Sequence, residues 1–245
     1  MSALPDPPPR PARPVRRVLL WLFALALAAL AWAVQRGHLV IEDRWKPWAP
    51  LRVDDPPNLL TPLKLRRLSQ DAPLCRAVLA TTGFRYDALP DRATGPGCGF
   101  ENAVRIRATG LAVGEPFSLS CRAAVSLALW ERHSLQPEAH ARLGQPVRRV
   151  EHFGSYACRN VYGRPDARRS RHATADAFDI AGFVLADGRR IRVRGGWDGE
   201  SAEAQFLHAV HRGACRWFDT VLGPDYNAAH ADHLHLDRGR FGTCR

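Results

Sequence analysis

Residues 18–34 form an uncharged apolar run rich in leucine and alanine, with Trp21 and Trp32 near its ends. As a helix rising 1.5 Å per residue, it measures about 25 Å against a bilayer core of about 30 Å. Flanking arginines can snorkel across the difference, so the run predicts a single transmembrane helix. Beyond it the apolar positions change period. Residues 74–82 read as a short helix and residues 102–108 as a strand of alternating apolar positions. Residues 120–133 are the clearest helix, with Ala124, Leu127, Ala128 and Trp130 as a buried stripe and Ser120 placed to cap it. Residues 146–153 predict a strand. The strand-like runs 177–185 and 190–194 flank Asp187-Gly188, a hairpin signal. Residues 201–218 read as a helix with Phe206, Leu207, Val210 and Ala214 on one side, and residues 232–236 as the last strand. Helices mixed with short strands, without βαβ alternation, predict an α+β fold: a small antiparallel sheet with packed helices.

This pattern divides the chain into four parts: a disordered Pro/Arg-rich tail at residues 1–17, a transmembrane helix at 18–34, a connector at 35–71 and a folded domain at 72–245. Arg10, Arg13, Arg16 and Arg17 precede the apolar run, which places the N-terminus in the cytoplasm and the domain in the periplasm, single-pass in the inner membrane. A cleaved signal peptide competes, because small residues alternate from Ala29 to Ala33. Its apolar region, however, usually spans about 7–15 residues, and here Trp32 and Val34 continue the run, favouring an uncleaved anchor. In the connector, Trp45 and Trp48 suit a membrane interface, and Pro47, Pro50, Pro56, Pro57 and Pro62 keep the chain extended, with one amphipathic turn over residues 63–68.

The net charge of +11 looks like a nucleic-acid signal. Yet the arginines are scattered and only Lys46 and Lys64 are lysines, whereas a nucleic-acid binder concentrates charge on one face. The reading is no nucleic acid, and attraction to an anionic envelope polymer instead. Cys75, Cys98, Cys121, Cys158, Cys215 and Cys244 show no C-x-x-C spacing; six widely separated cysteines suit three disulfides in an oxidising compartment.

The candidate chemistry lies in two segments, residues 170–179 and 230–237. His172 and Asp179 are seven residues apart, too far along a helix axis to share an ion, but a loop folding back beside a strand brings them together. His233 and His235 alternate along the last strand, so both point to one face; His230 precedes them. Two histidines and one aspartate leave a fourth position open, as in a catalytic zinc site. His208 and His211, at helical spacing, read as packed or surface residues rather than ligands.

Ser170, His172, Ala177 and Asp179 resemble the S-x-H-x-x-G-x-A-x-D motif of the D-Ala-D-Ala metallopeptidases, with Ala175 where that motif has glycine. His230-Ala231-Asp232-His233-Leu234-His235 resembles the closing motif of the penicillin-insensitive murein endopeptidases. Over residues 72–245 the chain resembles the bacterial extensin-like C-terminal domain family. The resemblance implies a fold shared with the D-Ala-D-Ala peptidases and the hedgehog domain, with zinc held by His172, Asp179 and His235. It makes His233 the general base and His230 a second polar group over the reacting carbonyl. Some relatives use a carboxylate where Asp232 stands, so Asp232 is the alternative base. Asp237, on the ligand face, can orient a ligand imidazole. Ser170, Arg159 and Arg171, with Arg164, Arg168 and Arg169 nearby, are candidates to meet the carboxylates of a wall peptide. The expected activity is zinc-dependent hydrolysis of amide bonds in peptidoglycan peptides. A zinc-containing module that binds the wall or an envelope protein without cleaving is the alternative.

Overall fold

The computed structural model describes residues 13–239 and 242–245. The tail expected at residues 1–17 lies outside the described residues as far as residue 12. The chain forms two units, Met1–Lys46 and Pro47–Arg245. In the first, the apolar run is helical as α1 (Arg13–Gln35), which begins early enough to carry Arg13, Arg16 and Arg17 on its first turns. Over Val15–Gln35 it is long and apolar enough to cross a membrane, and none of its described residues is buried.

The second unit begins well before Ala72. Residues 47–71 are not a free connector: Leu51, Val53, Leu65 and Leu68 are buried in its core. The prolines punctuate this segment rather than hold it away, and Pro62 opens α2 (Thr61–Arg67) at a position where a missing N–H costs nothing. His133 binds the Val53 carbonyl at 2.7 Å, fixing the segment to the body. Next come α3 (Ala72–Leu79), capped by the Asp71 carboxylate, and β1 (Arg85–Ala88). β2 (Arg92–Gly95) and β3 (Cys98–Phe100) form a separate two-stranded hairpin. β4 (Ala103–Ala108) and β5 (Phe117–Ser120) join β1 in a three-stranded antiparallel sheet.

The Ser120 hydroxyl caps α4 (Cys121–Trp130) by accepting from Ala123 N–H. Every residue from 123 to 130 is buried, so α4 is a central helix, apolar all round, rather than the one-sided stripe its spacing suggested. A π turn, Glu131–Leu135, continues it into α5 (Gln136–Leu143), which Gly144 ends at φ 65°. β6 (Val147–Gly154), β7 (Ala177–Leu185) and β8 (Arg190–Arg192) follow, then α6 (Ala202–Ala214), β9 (Thr220–Leu222), β10 (Leu234–Asp237) and β11 (Thr243–Cys244).

The main sheet runs β11-β9-β10-β7-β6, with β8 also on β7; its pairs are antiparallel except β11 with β9. Trp130 of α4 and Phe206 of α6 meet Phe183 of β7, ring centroids 6.2 and 5.3 Å apart, which fixes the helices on one face of this sheet. The fold is α+β. All six cysteines are paired: Cys75–Cys121, Cys98–Cys158 and Cys215–Cys244. Cys98–Cys158 ties the hairpin to the loop that leads to His172.

Candidate metal centre

Strand register does the first part of the assembly. β10 pairs with β7 so that His235 stands directly opposite Asp179, and cross-strand partners put their side chains on one face about 5 Å apart. The alternate residues Phe178, Ile180, Leu234 and Leu236 point into the core, so the sheet's apolar face pins the register of the polar one. His172 comes from a 3-10 turn, Arg171–Thr174, in which the His172 N–H is capped by the Ser170 hydroxyl at 3.3 Å. Ser170 also lines the cleft beside Arg171 and His172.

His172 Nδ1 lies 2.9 Å from the Ser155 carbonyl. A carbonyl only accepts, so Nδ1 carries the proton and Nε2 turns a lone pair inward. His235 Nε2 lies 3.1 Å from Asp237 Oδ2, which leaves His235 Nδ1 facing inward as well. These inner atoms meet the Asp179 carboxylate: His172 Nε2 is 3.1 Å from Oδ2, His235 Nδ1 is 2.8 Å from Oδ1, and the two nitrogens are 3.2 Å apart. Burial alone would raise the Asp179 carboxyl, but with no metal between them the two imidazoles, in their doubly protonated forms, donate to it and hold it well below the usual carboxylate range. Burial opposes a charged His235, yet hydrogen bonds and charges from Asp179 and Asp237 outweigh it and push the ring up to about 9. The field at this point favours positive charge, and a metal ion could bridge all three side chains.

Two more histidines complete the cleft, which has a volume of about 270 Å³. His233, immediately before β10, binds Asp232 Oδ1 through Nδ1 at 2.9 Å and turns Nε2 to 3.7 Å from Asp179 Oδ1. Asp232 sits behind it, paired with Arg194 at 3.3 Å. His230 Nδ1 binds Asn227 Oδ1 at 2.8 Å. Burial, then the charges of His235 and His233, lower His230 to about 4, so it is neutral at physiological pH.

Arg159, Arg168 and Arg171 line the cleft. Arg169 does not reach it: it bonds the Pro96 carbonyl at 2.8 Å and Asn160 at 3.0 Å. Arg164 lies over the Tyr162 ring. A second group, His211 with Cys215 and Cys244, has its sulfurs in a disulfide, so thiolate ligation is closed to it. His208 and His211 pack against Trp197.

Three contributors carry no sequence signal for this site. The Ser155 carbonyl acts on His172 and the Asn227 side chain on His230. Asp176 accepts from Arg122 at 2.9 and 2.7 Å, from Ser120 at 2.6 Å and from Thr174 at 2.8 Å, which ties the His172 turn to the start of α4.

Ala175 ends that turn with φ 54° and is fully buried. The left-handed conformation costs an L-residue about 1 kcal/mol. Glycine would relieve this but lose a buried methyl, worth about 0.8 kcal/mol, and gain unfolded-state freedom. Ala175→Gly is therefore expected to shift stability by less than about 1 kcal/mol, as measured by thermal unfolding.

No curated protein and no solved structure matches the chain. A family profile, Extensin-like protein C-terminus, matches residues 73–245. That span contains every side chain of the buried cluster and the cleft around it, and the chain belongs to the Extensin-like protein C-terminus family.

Proposed function

We propose that the protein is a membrane-anchored zinc peptidase that hydrolyses amide bonds of peptidoglycan peptides in the periplasm, with a domain arranged like the D-Ala-D-Ala metallopeptidases and the hedgehog domain. The convergence of His172 Nε2, His235 Nδ1 and the Asp179 carboxylate carries this reading. Ligands about 2.0–2.2 Å from a tetrahedral zinc stand about 3.3–3.6 Å from one another. The separations here, 2.8, 3.1 and 3.2 Å, fall a few tenths of an ångström short of that. Each imidazole also has its outer nitrogen bonded to an acceptor, as metal-ligating histidines do.

Zinc bound here would supply Lewis-acid polarisation of the scissile carbonyl and a lowered pKa for water. The side chains divide the remaining tasks. Asp232 holds His233 with Nδ1 protonated, so Nε2 is the atom that takes a proton from the attacking water and returns it to the leaving amine. Asp232 acts through His233 rather than as a rival base. Arg159 and Arg171 offer guanidinium groups to substrate carboxylates. Three disulfides and a membrane-length helix with arginines on its first turns support an anchored, extracytoplasmic domain.

The test is metal analysis of the purified full chain, followed by incubation with purified wall fragments with and without chelator. About one zinc per chain and chelator-sensitive release of peptide products are expected. Zinc with binding but no release would replace the peptidase by a binding module, and a metal-free chain would end the proposal. His233→Ala is expected to keep its zinc and lose about 100-fold in turnover, the lower range for a general base.

A further inference from the structure

The cleft wall beside His230 has its own organisation. Tyr162 is one of three described non-glycine residues at positive φ, at φ 55° and ψ 20° in the turn Val161–Gly163. A tyrosine gains nothing there from local side-chain bonding, so the surroundings must hold it. Those surroundings are visible. Asn227 Nδ2 donates to the Tyr162 hydroxyl at 2.9 Å, the Arg164 guanidinium lies over the ring, and Asn160 Nδ2 bonds the Arg164 and Pro165 carbonyls at 2.9 and 2.8 Å. Tyr162 is 46% exposed and lines the cleft, with its ring 6.3 Å from that of His230.

Asn227 sits between the two rings, and its amide can face only one way. Ala229 N–H donates to Asn227 Oδ1 at 3.1 Å, and a backbone N–H cannot accept. The same oxygen faces His230 Nδ1 at 2.8 Å, so Nδ1 must carry the proton. In the neutral ring, Nε2 is then a lone pair with no hydrogen-bond partner among the described residues. The amide nitrogen is left for Tyr162, whose oxygen is occupied as an acceptor and whose O–H has no acceptor among the described residues.

We propose that Asn227 is a positioning residue that fixes the His230 tautomer and turns Tyr162 into a hydrogen-bond donor, so that this wall presents one acceptor and one donor to the main chain of a bound peptide. An extended residue exposes its N–H and C=O to the same side, which matches such a wall. Tyr162 makes the substrate contact; Asn227 acts through its two neighbours. The assignment of a peptide rests on the peptidase reading, whereas the tautomer does not.

The experiment is nitrogen NMR of the ¹⁵N-histidine-labelled full chain in detergent micelles, loaded with zinc. In the wild type His230 is expected as the single Nδ1–H form. Asn227→Ala is expected to release it into a mixture of tautomers. Asn227→Asp, which retains an acceptor for Ala229 and His230, is expected to keep Nδ1 protonated and the fold intact. An Nε2–H ring in the wild type, or a single unchanged form in Asn227→Ala, overturns the positioning role. For the contact, Tyr162→Phe is expected to bind soluble wall peptides about tenfold more weakly, the loss of one hydrogen bond, with His230 unchanged. Equal affinity overturns the donor role. Absence of any binding by the wild type removes the peptide assignment together with the peptidase reading and leaves the tautomer result standing.

Discussion

Asp179→Asn is expected to abolish both the zinc binding and the peptidase turnover proposed for this site. The substitution keeps the shape of the side chain and removes the charge that faces His172 Nε2 and His235 Nδ1 at 3.1 and 2.8 Å. Loss of an outer-shell partner alone typically weakens metal affinity by about 10–100-fold, so loss of the only charged ligand should exceed about 100-fold. Zinc content after dialysis against a weak chelator reads this directly, and turnover on wall fragments should fall below detection in parallel. A variant that retains one equivalent of zinc would remove Asp179 from the ligand set. The same carboxyl makes an acid-side prediction for the zinc-free protein. Its folded value is depressed below the ordinary 3.8, so its contribution to stability is fully present above that pH and is lost as pH falls through the folded value.

How far the chain could be read from its sequence follows from the kind of signal each part carries. His233, His235 and Asp237 alternate along one segment, and strand periodicity predicts their shared side, although the strand itself begins only at Leu234. The juxtaposition of Asp179 and His235 needed the register of β7 against β10, a long-range pairing that no local window contains. The Ser155 carbonyl was invisible because a backbone acceptor can belong to any residue type. Asp176 falls at an unspecified position of the motif, and its role depends on Arg122 and Ser120, more than fifty residues away. Strands of three or four residues, such as β2, β3 and β9, are too short for a periodic pattern to stand out. Residues 47–71 misled for another reason: their prolines have the composition of a linker, while Leu51, Val53, Leu65 and Leu68 supply enough apolar surface to anchor the segment in the core.

Glu131→Gln is expected to stabilise the protein at neutral and alkaline pH and to leave it unchanged in acid. Glu131 opens the π turn after α4, buried at 6% exposure, and accepts from the Thr109 hydroxyl at 2.7 Å. Among the described residues no cation pairs with it. Burial raises its carboxyl from 4.5 to about 8 against the opposing hydrogen bonds of Thr109 and Gly110. Below pH 4.5 both folded and unfolded chains carry the proton, and the group contributes nothing to pH dependence. Between 4.5 and about 8 the folded state holds a proton that the unfolded state has released, so stability falls as pH rises. Each pH unit in that window removes about 1.4 kcal/mol, a loss of about 3 kcal/mol by neutrality and about 5 kcal/mol in full. Glutamine has the shape of the protonated acid and no charge to desolvate, so the penalty disappears. Denaturant unfolding at pH 5, 7 and 8.5 should show the variant's advantage growing with pH. A constant difference across that range would mean that Glu131 is ionised in the folded protein, with compensation from a neighbour other than Thr109 and Gly110.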